Sequence, residues 1–178
     1  ALNCDILVNI DLNQVFHLHN TIDAPITVVY KKMHHRDISE VNAVLEIDET
    51  DHIRGQKLFD GTDPDALYNM STDIFIVDTP WLIEKLEAEI HKEHPEKLRY
   101  ILSDLAVEHG AFAFEYTGYI ANIHSVESYY RANLDMLETN KFMSLFSPNQ
   151  KVYTKVKNEE PTYYAPGSQI KNSQFASG

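Results

Sequence analysis

Hydrophobic positions along the chain change period several times, and each change marks an element. Ile6-Leu7-Val8 is a short continuous apolar run followed by Asn9-Ile10-Asp11, which is how a parallel strand hands over to a helix. Asp11 is a good N-cap for a helix carrying Val15, Phe16 and Leu18 and ending near Asn20-Thr21. The β-branched stretch Pro25 to Tyr30 predicts a strand, and Lys31 to Asp37 reads as a polar loop. Residues 41–48 and 52–54 predict a hairpin across the turn Glu49-Thr50-Asp51. Gly61 to Asp65 marks a loop, and Ile74-Phe75-Ile76-Val77 is a buried strand.

Helical spacing then takes over. Thr79 and Pro80 open a helix with Leu82, Ile83, Leu86 and Ile90 on one face, ending by His94. Pro95 opens a second helix through Leu98, Ile101, Leu102 and Leu105, which Gly110 terminates. Two short strands follow, at 111–116 and 119–123, and Ser125 caps a third long helix through Val126, Tyr129, Tyr130, Leu134 and Leu137. Beyond Lys141 the pattern changes: 152–156 reads as a strand, 159–162 as a linker, and the tail is rich in Ser, Asn and Gln. Strands alternating with helices predict an α/β layered sheet.

Composition narrows the classes. With 178 residues, 43% of them hydrophobic, the chain has enough apolar mass for a real core. Lys and Arg number 15 against 27 Asp and Glu, a net charge of −12, which argues against a surface for nucleic acid. No apolar run approaches the roughly 18 residues of a membrane span, and no signal peptide opens the chain, so a soluble, cytoplasmic protein is expected. The single cysteine, Cys4, has no partner for an internal disulfide. None of the six glycines stands close enough to another to cradle phosphates. Starting at Ala1, almost directly in a strand, the chain reads as an internal fragment.

Other clusters have plain explanations. His34-His35 and His91 with His94 lack the carboxylate or cysteine that would complete a zinc site. His17 and His19 flank a helix face, and the acidic run 46–51 reads as a solvated hairpin tip without the ligand spacing of a calcium loop. Tyr116, Tyr119, Tyr129, Tyr130, Tyr163 and Tyr164 are expected to be half-buried with their hydroxyls at the rim, or to form a contact surface.

The succession Asp5…Asn9-Ile10-Asp11, Ile26-Thr27-Val28, Ser71…Ile74-Phe75-Ile76-Val77, and above all Ser125 to Met136 with its Tyr-Tyr-x-Ala-Asn-Leu-Asp core, resembles the glucose-1-phosphate adenylyltransferases of bacterial glycogen synthesis. The tail, Tyr153-Thr154 to Pro161-Thr162 and then Ile170 to Gly178, looks like that family's linker into a left-handed β-helix. The resemblance implies a Rossmann-like nucleotide-diphospho-sugar transferase sheet over residues 1–146, and over 147–178 the linker and the start of a left-handed β-helix. The family's glycine-rich nucleotide loop would lie upstream of Ala1.

Nucleotidyl transfer needs a divalent cation on the phosphates, and hard Mg²⁺ prefers carboxylates. By resemblance Asp5 occupies the place of one metal carboxylate, although a strand-end Asp is also an ordinary polar residue. The second place holds Asn122, a neutral amide, so half of the site's negative charge is gone. The family's Glu-Lys-Pro sugar-phosphate motif falls on Leu58-Phe59-Asp60, its sugar-side glycine on Ala43, and another glycine on Asp73. Ser71 matches a sugar-contacting serine, while a serine satisfying nearby backbone is the commoner case. These losses make Mg²⁺ binding by this chain doubtful and resemble the regulatory subunit type of Gram-positive bacteria. That type would act by hetero-oligomerising with a catalytic subunit, and self-association is a further expectation. The alternatives are an active nucleotidyltransferase with reassigned ligands and an effector-binding or interaction module without turnover.

Overall fold

The computed structural model describes residue 1 and residues 5–22, 24–153 and 160–175. Its frame is a five-stranded mixed sheet built from β2 (Ile26–His34), β3 (Ala43–Ile47), β4 (Ile53–Leu58), β5 (Leu67–Val77) and β6 (Phe112–Glu115), in the order β4-β3-β5-β2-β6. Only the β2–β6 pair is parallel; β2–β5, β3–β5 and β3–β4 are antiparallel. A separate two-stranded sheet joins β1 (Ile6–Val8) to β7 (Ile120–Asn122). The β1–β7 pair is antiparallel, with Ile6 opposite Asn122, which corrects the expected parallel strand. A continuous apolar run reports burial on both faces and says nothing about the direction of the neighbour.

Side-chain alternation builds three layers. Ile26, Val28 and Tyr30 of β2 share one core with Phe75 of β5 and Leu45 of β3, closed by Leu102 and Ala106 of α3 (Leu98–Glu108) and by Trp81 and Leu82 of α2 (Thr79–Ile90). Val29 and Ile74 point to the opposite face and meet Val15 of α1 (Leu12–Thr21). A third cluster, Met33, Ile38, Val44, Phe59, Met70 and Ile120, links the hairpin end of the large sheet to β7.

The caps explain where helices begin. The Asp11 carboxylate accepts the Asn13 N–H at 3.0 Å, as its position predicts. Asp78 stands at the N-cap of α2, one residue earlier than Thr79, with Pro80 in the first turn. Helix α2 stops at Ile90, and α3 starts at Leu98 rather than Pro95, with residues 91–97 connecting them. Gly110, at φ +58°, follows the α3 C-cap in the left-handed conformation that a helix stop favours.

Two elements differ from what the hydrophobic pattern predicts. β2 continues through Lys31 to His34, where a polar loop is expected, because its ladder with β5 runs on to His34 opposite Leu67. The Ser125-capped helix is shorter: α4 spans Val126–Asp135, and a separate α5 spans Thr139–Leu145. Tyr129 and Tyr130 are 60% and 63% exposed, so these two are surface residues rather than half-buried packing. The predicted strand at 152–156 falls largely outside the described residues, and residues 160–175 contain no helix or strand.

Candidate functional site

The register of the small sheet brings two of the family-matched positions together. Asn122 lies opposite Ile6, and the Ile123 N–H donates to the Asp5 carbonyl at 2.7 Å, so Asp5 and Asn122 are neighbours on adjacent strands, offset by one residue. Neighbouring positions of a strand face opposite sides, so this register is not by itself a two-ligand clamp. Asp5 sits in a bend just before β1, and its Oδ1 is buried without a hydrogen-bond partner among the described residues. A buried orphan carboxylate oxygen is costly and is the kind of group a cation would satisfy.

Asn122 is spent differently. It is 5% exposed, and its Nδ2 donates to the Asn42 side-chain oxygen at 2.5 Å. That same oxygen accepts the Ser39 N–H at 2.9 Å, while the Asn42 carbonyl accepts the Phe59 N–H at 2.9 Å. Asn42 therefore ties β7 to the segments on both sides of the β3–β4 hairpin. The donor set around these positions is one carboxylate and two neutral amides, and no group of three or more His, Cys, Asp or Glu able to hold a metal ion occurs among the described residues. Mg²⁺, which selects anionic oxygens, is poorly matched to that set.

Ser71 lies elsewhere. It is 2% exposed in β5, opposite Tyr30, and its Oγ accepts the Asp73 N–H at 3.3 Å. A bulge interrupts the β2–β5 register here, between Val29 paired with Ile74 and Tyr30 paired with Ser71. Within it, Thr72 Oγ1 donates to the Val29 carbonyl at 2.8 Å and Asp73 takes φ +54°. That angle accounts for the glycine of the resembling family at this position. Asp is among the few non-glycine residues that tolerate it, and Arg99 holds the Asp73 carboxylate at 3.3 Å.

Where the family pattern expects a sugar-phosphate cation, the chain is apolar. Phe59 is 7% exposed and packs edge-on against Tyr68 and His35, with ring centroids 5.0 and 5.3 Å away. Lys57 is bonded to Asp60 at 3.2 Å instead. Ala43 stands opposite Leu58 in the β3–β4 ladder.

β6 pairs with β2 only from Thr27 to Tyr30, and the Tyr116 N–H closes the last bond to the Tyr30 carbonyl at 2.8 Å. Beyond that point the strands separate and leave an open cleft of about 710 Å³ between Lys31–Arg36, the 117–124 segment, α4 and α5. Asn122 reaches its wall; Asp5 and Ser71 are not among the lining residues. Its charged groups are scattered over four segments, so no local motif announces them.

No protein-family profile matches the chain. Over 65 residues it is 45% identical to the glycogen biosynthesis protein GlgD of Bacillus subtilis, covering 36% of this chain and 19% of that protein. It is 30% identical over 98 residues to the glucose-1-phosphate adenylyltransferase of Clostridium novyi, covering 55% of this chain and 25% of that enzyme. With the enzyme of the same name from Geobacillus stearothermophilus it shares 28% identity over 111 residues, 61% of this chain and 29% of the enzyme. The chain thus spans about a fifth to under a third of the length of these relatives.

Proposed function

From the premise that the chain is related in sequence to the glucose-1-phosphate adenylyltransferases and to GlgD, we propose that it is part of a regulatory subunit of that enzyme in glycogen biosynthesis, weakly active or silent alone. The observation that carries this reading is the Asn122–Asn42 bond, which occupies the second metal-carboxylate position with a neutral, structurally engaged amide. Phe59 supports it, because an aromatic buried in the core stands where a phosphate-binding cation is required. Such a protein acts in the cytoplasm by assembling with the catalytic subunit. Residues 147–178 are then the linker and the start of a left-handed β-helix domain.

The test is to assay the full-length protein for ADP-glucose synthesis from ATP and glucose 1-phosphate, alone and with its catalytic partner. Changed kinetics of the partner with little turnover alone is the expected result. Robust synthesis by the protein alone would overturn the reading. It would favour instead an active nucleotidyltransferase, a second reading supported by the retained Asp5 with its unpartnered buried oxygen and by relatives that carry the enzyme's name.

A further inference from the structure

Helix α4 carries its amphipathic pattern in reverse. A surface helix ordinarily turns its apolar stripe to the core and its polar stripe to water. In α4 the polar positions Ser128, Arg131 and Asp135 line the cleft where β2 and β6 diverge. Two of them are anchored to other segments there. Arg131 Nη1 donates to the Arg36 carbonyl at 2.9 Å, and the Asp135 carboxylate accepts the Tyr119 hydroxyl at 3.0 Å. The remaining stripe at helical spacing is Val126, Tyr129, Tyr130, Asn133 and Leu134, continued just past the C-cap by Leu137, and it faces solvent. Val126 is 86% exposed, Leu134 45% and Leu137 42%, beside the two exposed tyrosines.

We propose that this stripe is the contact surface between two copies of the protein, packed helix to helix about a two-fold axis. Charge favours a second copy over other occupants. None of the six side chains is charged, in a chain of net charge −12. Glu127 and Glu138, which flank the stripe in sequence, are neutralised within the chain, Glu127 by Arg131 at 2.7 Å and Glu138 by Lys141 at 3.0 Å. A second copy therefore meets the stripe without like-charge repulsion, whereas an acidic or basic partner finds no complementary charge on it. A two-fold contact of this kind is the commonest way for identical chains to associate.

Area and composition agree with that occupant. The stripe presents about 550 Å² of side-chain surface, at the upper end of what an isolated monomer ordinarily leaves as one apolar patch. Two such stripes face to face bury about 1,100 Å², which clears the lower bound of a specific interface and corresponds to a reversible rather than a permanent dimer. Tyr129, Tyr130 and Asn133 keep polar tips among the aliphatic side chains, the composition of a surface that is wet in the free subunit and covered in the assembly.

Sedimentation velocity of the full-length protein alone, across the micromolar range, tests the proposal. Concentration-dependent association is expected. Tyr130 stands at the middle of the stripe and so faces its own counterpart near the two-fold axis; Tyr130→Glu sets two carboxylates against each other and weakens association about a hundredfold. Val126→Glu, at the most exposed position of the stripe, acts in the same direction and serves as the second variant if Tyr130→Glu does not fold, which circular dichroism reports. Ile90→Glu, at an exposed apolar position of α2, leaves association unchanged. A protein that stays monomeric, association unaltered in the folded α4 variants, or equal weakening by Ile90→Glu would each overturn the proposal. A lower melting temperature of the α4 variants at unchanged mass would show that the stripe is covered within one chain, and would overturn it as well. No catalytic partner enters the measurement, so its outcome is independent of the regulatory-subunit reading.

Discussion

The Asn122 side-chain amide donates to the Asn42 side-chain oxygen at 2.5 Å, joining the last strand of the small sheet to the loop before the β3–β4 hairpin. A carboxylate at position 122 could not donate, and two acceptor oxygens would face each other. Asn122→Asp is therefore expected to destabilise the protein by about 1–3 kcal/mol, measured by urea unfolding without divalent cations. Equal stability of the two proteins without metal would show that the amide bond contributes nothing.

The bulge at Thr72–Asp73 makes a second prediction. Asp73 holds φ +54° and is bonded to Arg99 at 3.3 Å, so Asp73→Ala loses an ion-pair partner and puts a Cβ with no local hydrogen bonding into the left-handed region. A loss of about 1–2 kcal/mol is expected. Asp73→Gly should cost less, because glycine removes the backbone penalty. Thermal melts of the two variants decide it, and a Gly variant less stable than the Ala variant would contradict the backbone argument.

Packing of α3 on the sheet rests on Leu102, which is 1% exposed within the main cluster. Leu102→Ala should cost about 2–5 kcal/mol in chemical denaturation. Leu98→Ala, at a position 43% exposed on the same helix, should cost far less.

The hairpin tip predicts a pH dependence. The Asp48 carboxylate accepts N–H groups from His52 and Thr50, the Thr50 hydroxyl and the Arg54 guanidinium, and these bonds push its pKa well below the ordinary 3.8. A depressed folded-state pKa means that its stabilisation is fully present above the unfolded value and disappears as pH falls through the folded value. Asp48→Asn should therefore lose stability at pH 7 and show a shallower decline below about pH 4. Parallel acid-unfolding curves for the two proteins would rule this out.

Inside α1, the buried His19 bonds Thr27 Oγ1 through Nδ1 at 2.9 Å. Thr27→Val keeps the shape and strands the imidazole nitrogen, at an expected cost of about 1–3 kcal/mol. Thr27→Ser should retain most of the stability, and equal melting temperatures for all three proteins would refute the bond's contribution.

Local chemistry was enough to determine much of this chain from its sequence. Asp11 and Ser125 cap helices where their side chains reach the first free N–H groups, Gly110 ends α3, and Ile74–Val77 is strand, buried at Ile74 and Phe75 and half-buried at Ile76 and Val77, because each depends on only a few neighbouring residues. The resemblance carried by Ser125 to Met136 was equally legible, and so were the residues Ala43, Phe59 and Asn122 at the positions that the resemblance singles out. Only the tertiary structure decided the direction of β1, the extension of β2 through Lys31–His34, and the bulge that seats Asp73. Strand direction and register are set by a partner dozens of residues away, which local hydrophobicity does not encode. The same holds for two features of the candidate site. Asn42 and Asn122 are joined by a bond across 80 residues, and Lys31 and Lys141 share one cleft only because β6 stops pairing with β2 after Tyr30.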